Sequence, residues 1–167
     1  PPSSTGNAMH WISRLVITLL VTVASAAGAQ QTAPSWTEEQ RAVIDALSRG
    51  PLGIEEPATF EAWAWGYHPD WTYWRLGTSE TRPRDEHLGL VRDYVGAGNR
   101  VVGFELEPVD VIVRGDTALV RLNAVETIEQ TDGGRRIAHY SSAAMLVREN
   151  DRWLLLATNI LHLPDAE

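Results

Sequence analysis

The chain contains no cysteine and no lysine among its 167 residues, and all 14 of its basic side chains are arginine. Without cysteine there are no disulfides, no thiolate metal ligands and no thiol nucleophile, so the fold must rest on packing alone. Without lysine there is neither Schiff-base chemistry nor a phosphate-binding P-loop. Metal signatures are missing too: the sequence has no HExxH, no His-x-His and no alternating acids of the calcium-loop kind. No GxGxxG follows a strand pattern, and Gly96-Ala97-Gly98-Asn99 reads as a helix stop, so no nucleotide or other cofactor is expected. Positive charge is scarce against 22 acidic residues, giving a formal net charge of -8. A domain this negative is repelled by phosphate, which argues against nucleic acid and anionic membrane surfaces as partners.

The apolar run Leu15 to Val23 falls short of the roughly 20 residues that span a bilayer. It follows Met9, His10 and Arg14 and precedes the small-x-small triplet Ala27-Gly28-Ala29, an order that reads as a secretory signal peptide cleaved near Ala29. Pro1 to Ala8 match no element pattern and read as an upstream extension. The expected organisation is extension and signal peptide over 1–29, a polar linker over 30–36, and one domain over 37–167. The expected location is secreted or periplasmic, with no membrane attachment after cleavage. Removing the first 29 residues leaves 138, a length suited to a single domain with its own core.

What the sequence does have is tryptophan. The stretch FEAWAWGYHPDWTYWRLG, Phe60 to Gly77, holds four of the chain's seven, from Trp63 to Trp74. Before it, Ser35 or Thr37 caps a helix beginning at Glu38, with Val43, Ile44 and Leu47 as its apolar stripe and Gly50-Pro51 as its stop. Pro57 starts a second helix whose Phe60, Trp63 and Tyr67 share a face, until Pro69 ends it. From Trp71 to Leu76 the period becomes two, so Trp71, Tyr73 and Arg75 point one way and Thr72, Trp74 and Leu76 the other. Residues 77–83 read as loop and Asp85 to Val95 as a third helix with Leu88, Val91, Tyr94 and Val95 inward. Four long strands follow, at about 100–114, 116–130, 135–149 and 152–162, joined by Gly115-Asp116, Asp132-Gly133-Gly134 and Glu149-Asn150-Asp151 turns. Long strands on tight turns make an antiparallel meander that twists and curls, and helices followed by such a sheet define an α+β fold.

That element order resembles the nuclear transport factor 2-like superfamily, whose secreted branch is similar to SnoaL-like polyketide cyclases and ketosteroid isomerases. The resemblance is carried by GYHPDWTYW at the end of the second helix, by the PVDVIVRGDTALVRL hairpin with its Arg114-Gly115-Asp116-Thr117-Ala118-Leu119-Val120 turn, and by the closing NDRWLLLATNILH strand. It implies a cone-shaped curved antiparallel sheet wrapped around three N-terminal helices, an apolar pocket open at one end, and a homodimer paired through the outer face of the sheet. It also implies cofactor-independent acid/base chemistry as one use of the pocket. A carboxylate on the first strand, as in ketosteroid isomerase, points to Asp70 beside Tyr73, and a late-strand acid/base pair, as in the cyclases, points to His139 and Asn159.

Each candidate also has a structural reading. The tryptophans fill the cone, or Trp63 and Trp74 join Tyr73 in lining a pocket for a small hydrophobic ligand. Asp70 closes a His68-Pro69-Asp70 turn, or acts as an acid or base at the pocket mouth. His139 and Tyr140 are neighbours on a strand, so one of them faces inward, and an inward His139 would be the better base. Asn159 sits in an apolar strand and either orients a ligand or satisfies backbone. His87, in Asp85-Glu86-His87, reads as solvated surface, and Glu126 and Glu129 as part of a solvated acidic face. The expected function is a small-molecule-binding domain, with an acid/base enzyme and an assembly domain whose pocket is filled as the alternatives.

Overall fold

The computed structural model describes residues 35–164. The upstream extension, the signal peptide and the linker up to residue 34 lie outside the described residues. Helix α1, Glu38–Leu47, opens with a capping box in which the Thr37 side chain accepts from the Gln40 backbone and the Gln40 side chain accepts from the Thr37 backbone. Helix α2, Pro57–Ala64, uses Pro57 in its first turn, where a missing N–H costs nothing. Strand β1, Tyr67–Arg75, the two-residue strand β2, Arg82–Pro83, and helix α3, Arg84–Gly96, follow. The long strands are β3, Arg100–Arg114, β4, Thr117–Glu129, β5, Arg135–Glu149, and β6, Arg152–His162.

Together they make a six-stranded sheet in the order β2-β1-β6-β5-β4-β3. The four long strands form the expected antiparallel meander, while β1 lies parallel to β6, so the sheet is mixed. It is curved and unclosed, and irregularities in β3 opposite β4 and between β5 and β6 sharpen the bend.

The aromatic stretch differs from expectation in one respect. Helix α2 stops at Ala64, before Tyr67, and β1 starts there, taking in His68, Pro69 and Asp70 as strand residues. The cause is a backbone bond from Leu155 N–H to the Gly66 carbonyl at 2.8 Å, which docks the chain on β6 before Pro69 is reached. Pro69 is tolerated because the β1/β6 pairing slips between Tyr67 and Thr72. Phe60, Trp63, Tyr67 and Trp71 still make a continuous edge-to-face series, with centroid separations of 5.6, 4.9 and 4.8 Å.

Two apolar clusters hold these layers. Val43 of α1 packs on Val111, Ala118, Val120, Leu122, Ala144 and Leu146 of β3, β4 and β5. Ile54, Phe60, Ala64 and Leu88 tie the turn before α2 to α2 and α3.

Candidate functional site

A cavity of about 330 Å³ is bounded by both clusters, with Ile54 on one side and Leu122, Ala144 and Leu146 on the other. Its aromatic lining comprises Trp63, Trp71, Trp153, Phe104 and all four tyrosines of the chain, Tyr67, Tyr73, Tyr94 and Tyr140. Strand alternation explains the choice. On β1, Trp71 and Tyr73 face inward, and on β5 so do Tyr140, Ser142, Ala144 and Leu146. The Trp71 indole, only 2% exposed, donates to the Thr158 hydroxyl at 3.0 Å, so this buried N–H is satisfied.

Polar chemistry is concentrated around Glu126. Its carboxylate accepts the Tyr140 hydroxyl proton at 2.9 Å. Burial pushes the Glu126 carboxyl up, against the opposing effects of the Tyr140 hydrogen bond and the Arg136 guanidinium. Burial, and then the Glu126 charge, push the Tyr140 phenol up as well, so it stays protonated and donating. Tyr67 is raised by the same two causes, and Tyr73 chiefly by burial.

His87 closes the cluster from α3. Its ring stacks on Tyr73 with centroids 5.0 Å apart at 26°, and meets Trp71 edge-on at 5.0 Å. Burial, and then Arg82, hold its pKa down to about 4, so the imidazole is neutral at neutral pH. Its Nδ1 is buried and has no partner among the described residues. A neutral imidazole, a carboxyl whose pKa burial raises and protonated phenols can exchange hydrogen bonds with a ligand oxygen and can pass a proton. Among the described residues no three His, Asp or Glu side chains gather to hold a metal ion.

Of the residues singled out from sequence, Trp63 and Tyr73 line the cavity and the others do not. Trp74 is on the outer face of β1, where its indole donates to the Thr78 carbonyl at 3.0 Å. Asn159 is its register partner on β6 and shares that outer face, its backbone carbonyl accepting from Ser142 Oγ. The reason is the irregularity between β5 and β6: Met145 faces Ala157 but Leu146 faces Leu155, so one extra residue, Leu156, reverses the alternation. Leu155 and Thr158 then both point in, and Asn159 points out. His139 opposes Val125 on the outer face, because Tyr140 takes the inward position. Asp70 has a side chain 86% exposed and lies away from the cavity, with His68 beside it.

His87 and Glu126, both read from sequence as solvated surface, line the cavity instead. Each carried a signal. Glu126 is in phase with buried Leu122, Ala124 and Ile128 on β4, whereas Glu129 is out of phase and pairs with Arg135 at 3.0 Å. His87 lies one helical turn before Val91 and two before Tyr94, both of which line the cavity.

Comparison with solved structures defines the class of fold. A ketosteroid isomerase-like protein from Erwinia carotovora atroseptica superposes with a TM-score of 0.60 at 17% identity, over 77% of this chain and 99% of its own. A nuclear transport factor 2-like protein with a cystatin-like fold from Novosphingobium aromaticivorans gives 0.56 at 20% identity, over 77% and 84%. A nuclear transport factor 2-like protein of unknown function from Prochlorococcus gives 0.61 at 7% identity, over 78% and 97%. No family model matches the sequence, and no curated protein does either. The chain has the nuclear transport factor 2-like, α+β fold, and its aromatic cluster is compatible with ligand binding.

Proposed function

We propose that this protein binds a small, largely apolar molecule in the cavity, with a polar group of that molecule set against Glu126, Tyr140 and His87. The observation that carries this reading is the juxtaposition of an aromatic-walled cavity of about 330 Å³ with one hydrogen-bonded polar cluster. Apolar walls with a few convergent polar groups are the usual composition of a ligand site. The export-type segment from Met9 to Ala29 supports a secreted or periplasmic setting for that binding. Native mass spectrometry of the full chain purified from its own host tests the reading. A retained small molecule, lost when Tyr73→Ala and His87→Ala are combined, is the expected result, and a chain carrying no extra mass at any stage of purification counts against it.

A second reading, cofactor-independent acid/base chemistry, is favoured by the Glu126–Tyr140 hydrogen bond beside a neutral His87. It predicts that the bound molecule exchanges a C–H proton for deuterium in D2O, and that Glu126→Gln abolishes the exchange while leaving binding intact. Exchange that persists in Glu126→Gln would remove the basis for this reading.

A further inference from the structure

We propose that the cavity takes a small apolar carboxylic acid, its hydrocarbon or aromatic body inside and its carboxylate at the mouth among Arg136, Arg75 and His162. The inference rests on the cavity being a ligand site and assigns the chemistry of the ligand's head.

Register places these three side chains on adjacent strands at one end of the sheet. Arg136 and Tyr140 both line the cavity from β5 at inward positions of the same strand. His162 on β6 is the register partner of Tyr140, lies 6.0 Å from its ring and also lines the cavity. Arg75 continues the Trp71, Tyr73 alternation at the end of β1, and its register partner is Ile160, a cavity-lining residue two before His162. His162 senses both guanidiniums, since burial first and then Arg136 and Arg75 disfavour its charged form.

The two arginines are available to an anion. Among the described residues neither Arg75 nor Arg136 forms an ion pair, whereas Arg82, Arg84, Arg92, Arg121, Arg135 and Arg148 each do. Arg41, Arg49, Arg100, Arg114 and Arg152 also form no ion pair among the described residues, so it is position that marks this pair: Arg136 lines the cavity, as Arg49 does from the turn after α1, and Arg75 stands in register with cavity-lining Ile160. The opposing charge inside is a single group: among the described residues Glu126 is the one acidic side chain lining the cavity, and it already accepts from Tyr140. An ammonium head would meet the arginines as a like charge, and a neutral head would leave them unused.

The test compares three probes with one body and different heads, sodium octanoate, 1-octanol and octylamine, titrated into the full chain with tryptophan emission as the readout. Octanoate should bind roughly tenfold more tightly than octanol, because charge-assisted hydrogen bonds exceed neutral ones. Octylamine should be the weakest. Raising salt should narrow the octanoate advantage, since the mouth is accessible to solvent. Combining Arg75→Gln with Arg136→Gln should abolish the advantage and leave octanol affinity unchanged, with the fold checked by circular dichroism. Octanol binding as tightly as octanoate, or an octanoate advantage that survives in the double variant, overturns the assignment of the head while leaving the cavity as a ligand site. No saturable response to any of the three overturns both.

Discussion

His87 carries the clearest electrostatic signature at the scale of single residues. Its pKa is lowered from about 6.5 to about 4, so the folded state binds fewer protons there than the unfolded chain does between those values. The stability it contributes is complete above pH 6.5 and is lost as pH falls towards 4. That loss is up to about 3 kcal/mol, less whatever solvent screens. His87→Phe keeps an aromatic ring against Tyr73 and Trp71 and removes the titration. Chemical unfolding measured from pH 7 to pH 4 should therefore show a flatter acid limb in the variant, and superimposable limbs would refute the burial argument. Glu126 works with the opposite sign. Its pKa is raised, so its ionised form destabilises the fold above the ordinary carboxyl range and the penalty disappears as pH falls through it. Glu126→Gln should raise stability at pH 7, with the gain vanishing as pH falls through the ordinary carboxyl range, and chemical unfolding at the two pH values checks it. Tyr140→Phe should lower stability at pH 7 by about 1–3 kcal/mol by leaving the carboxylate without its phenol.

At the scale of elements, two short features position the site. The first is the turn after α1, where Gly50 has φ +47 and a Cβ on it would clash with the ring edge of Phe104, a cavity wall. Gly50→Ala should cost roughly 2–4 kcal/mol, because a positive φ and an overpacked ring are both unfavourable. Thermal unfolding checks it, and a change within about 0.5 kcal/mol would show that Phe104 has room to move. The second is the extra residue in β6, which turns Thr158 inward to accept from the Trp71 indole. Thr158→Val keeps the shape, orphans that N–H and should cost about 1–3 kcal/mol. The meander was readable in the sequence because Gly115, Gly133 and the Asn150-Asp151 pair mark its turns, and the last two residues do adopt positive φ of 49 and 61. The side of the sheet on which Asn159 lies is hidden for the complementary reason: period-two counting runs straight through Leu156, and nothing local announces that β5 and β6 slip there. Tyr67 follows Trp63 at helical spacing and so reads as helix, and the long-range Leu155–Gly66 bond that starts β1 has no local sequence mark. His87 and Glu126 are in phase with their inward neighbours, but a charged or titratable side chain at an apolar position reads as surface, and it is such exceptions that make a site.

For the molecule as a whole, the decisive feature among the described residues is that four long strands enclose more space than three short helices fill. The helices run 10, 8 and 13 residues against strands of 11 to 15, and the difference appears as the cavity between the two apolar clusters. Unfilled volume forfeits packing energy, and native interiors retain little of it without a use. The measurement that tests this account most directly is a titration of the full chain with 1-octanol, following tryptophan emission in the wild type and in Ala144→Phe. Ala144 is 2% exposed and lines the cavity, so a phenyl ring there occupies the space a ligand would take. The account predicts saturable one-to-one binding to the wild type, and a folded variant that no longer responds. Binding unchanged by Ala144→Phe, or a wild type that never saturates, would contradict it.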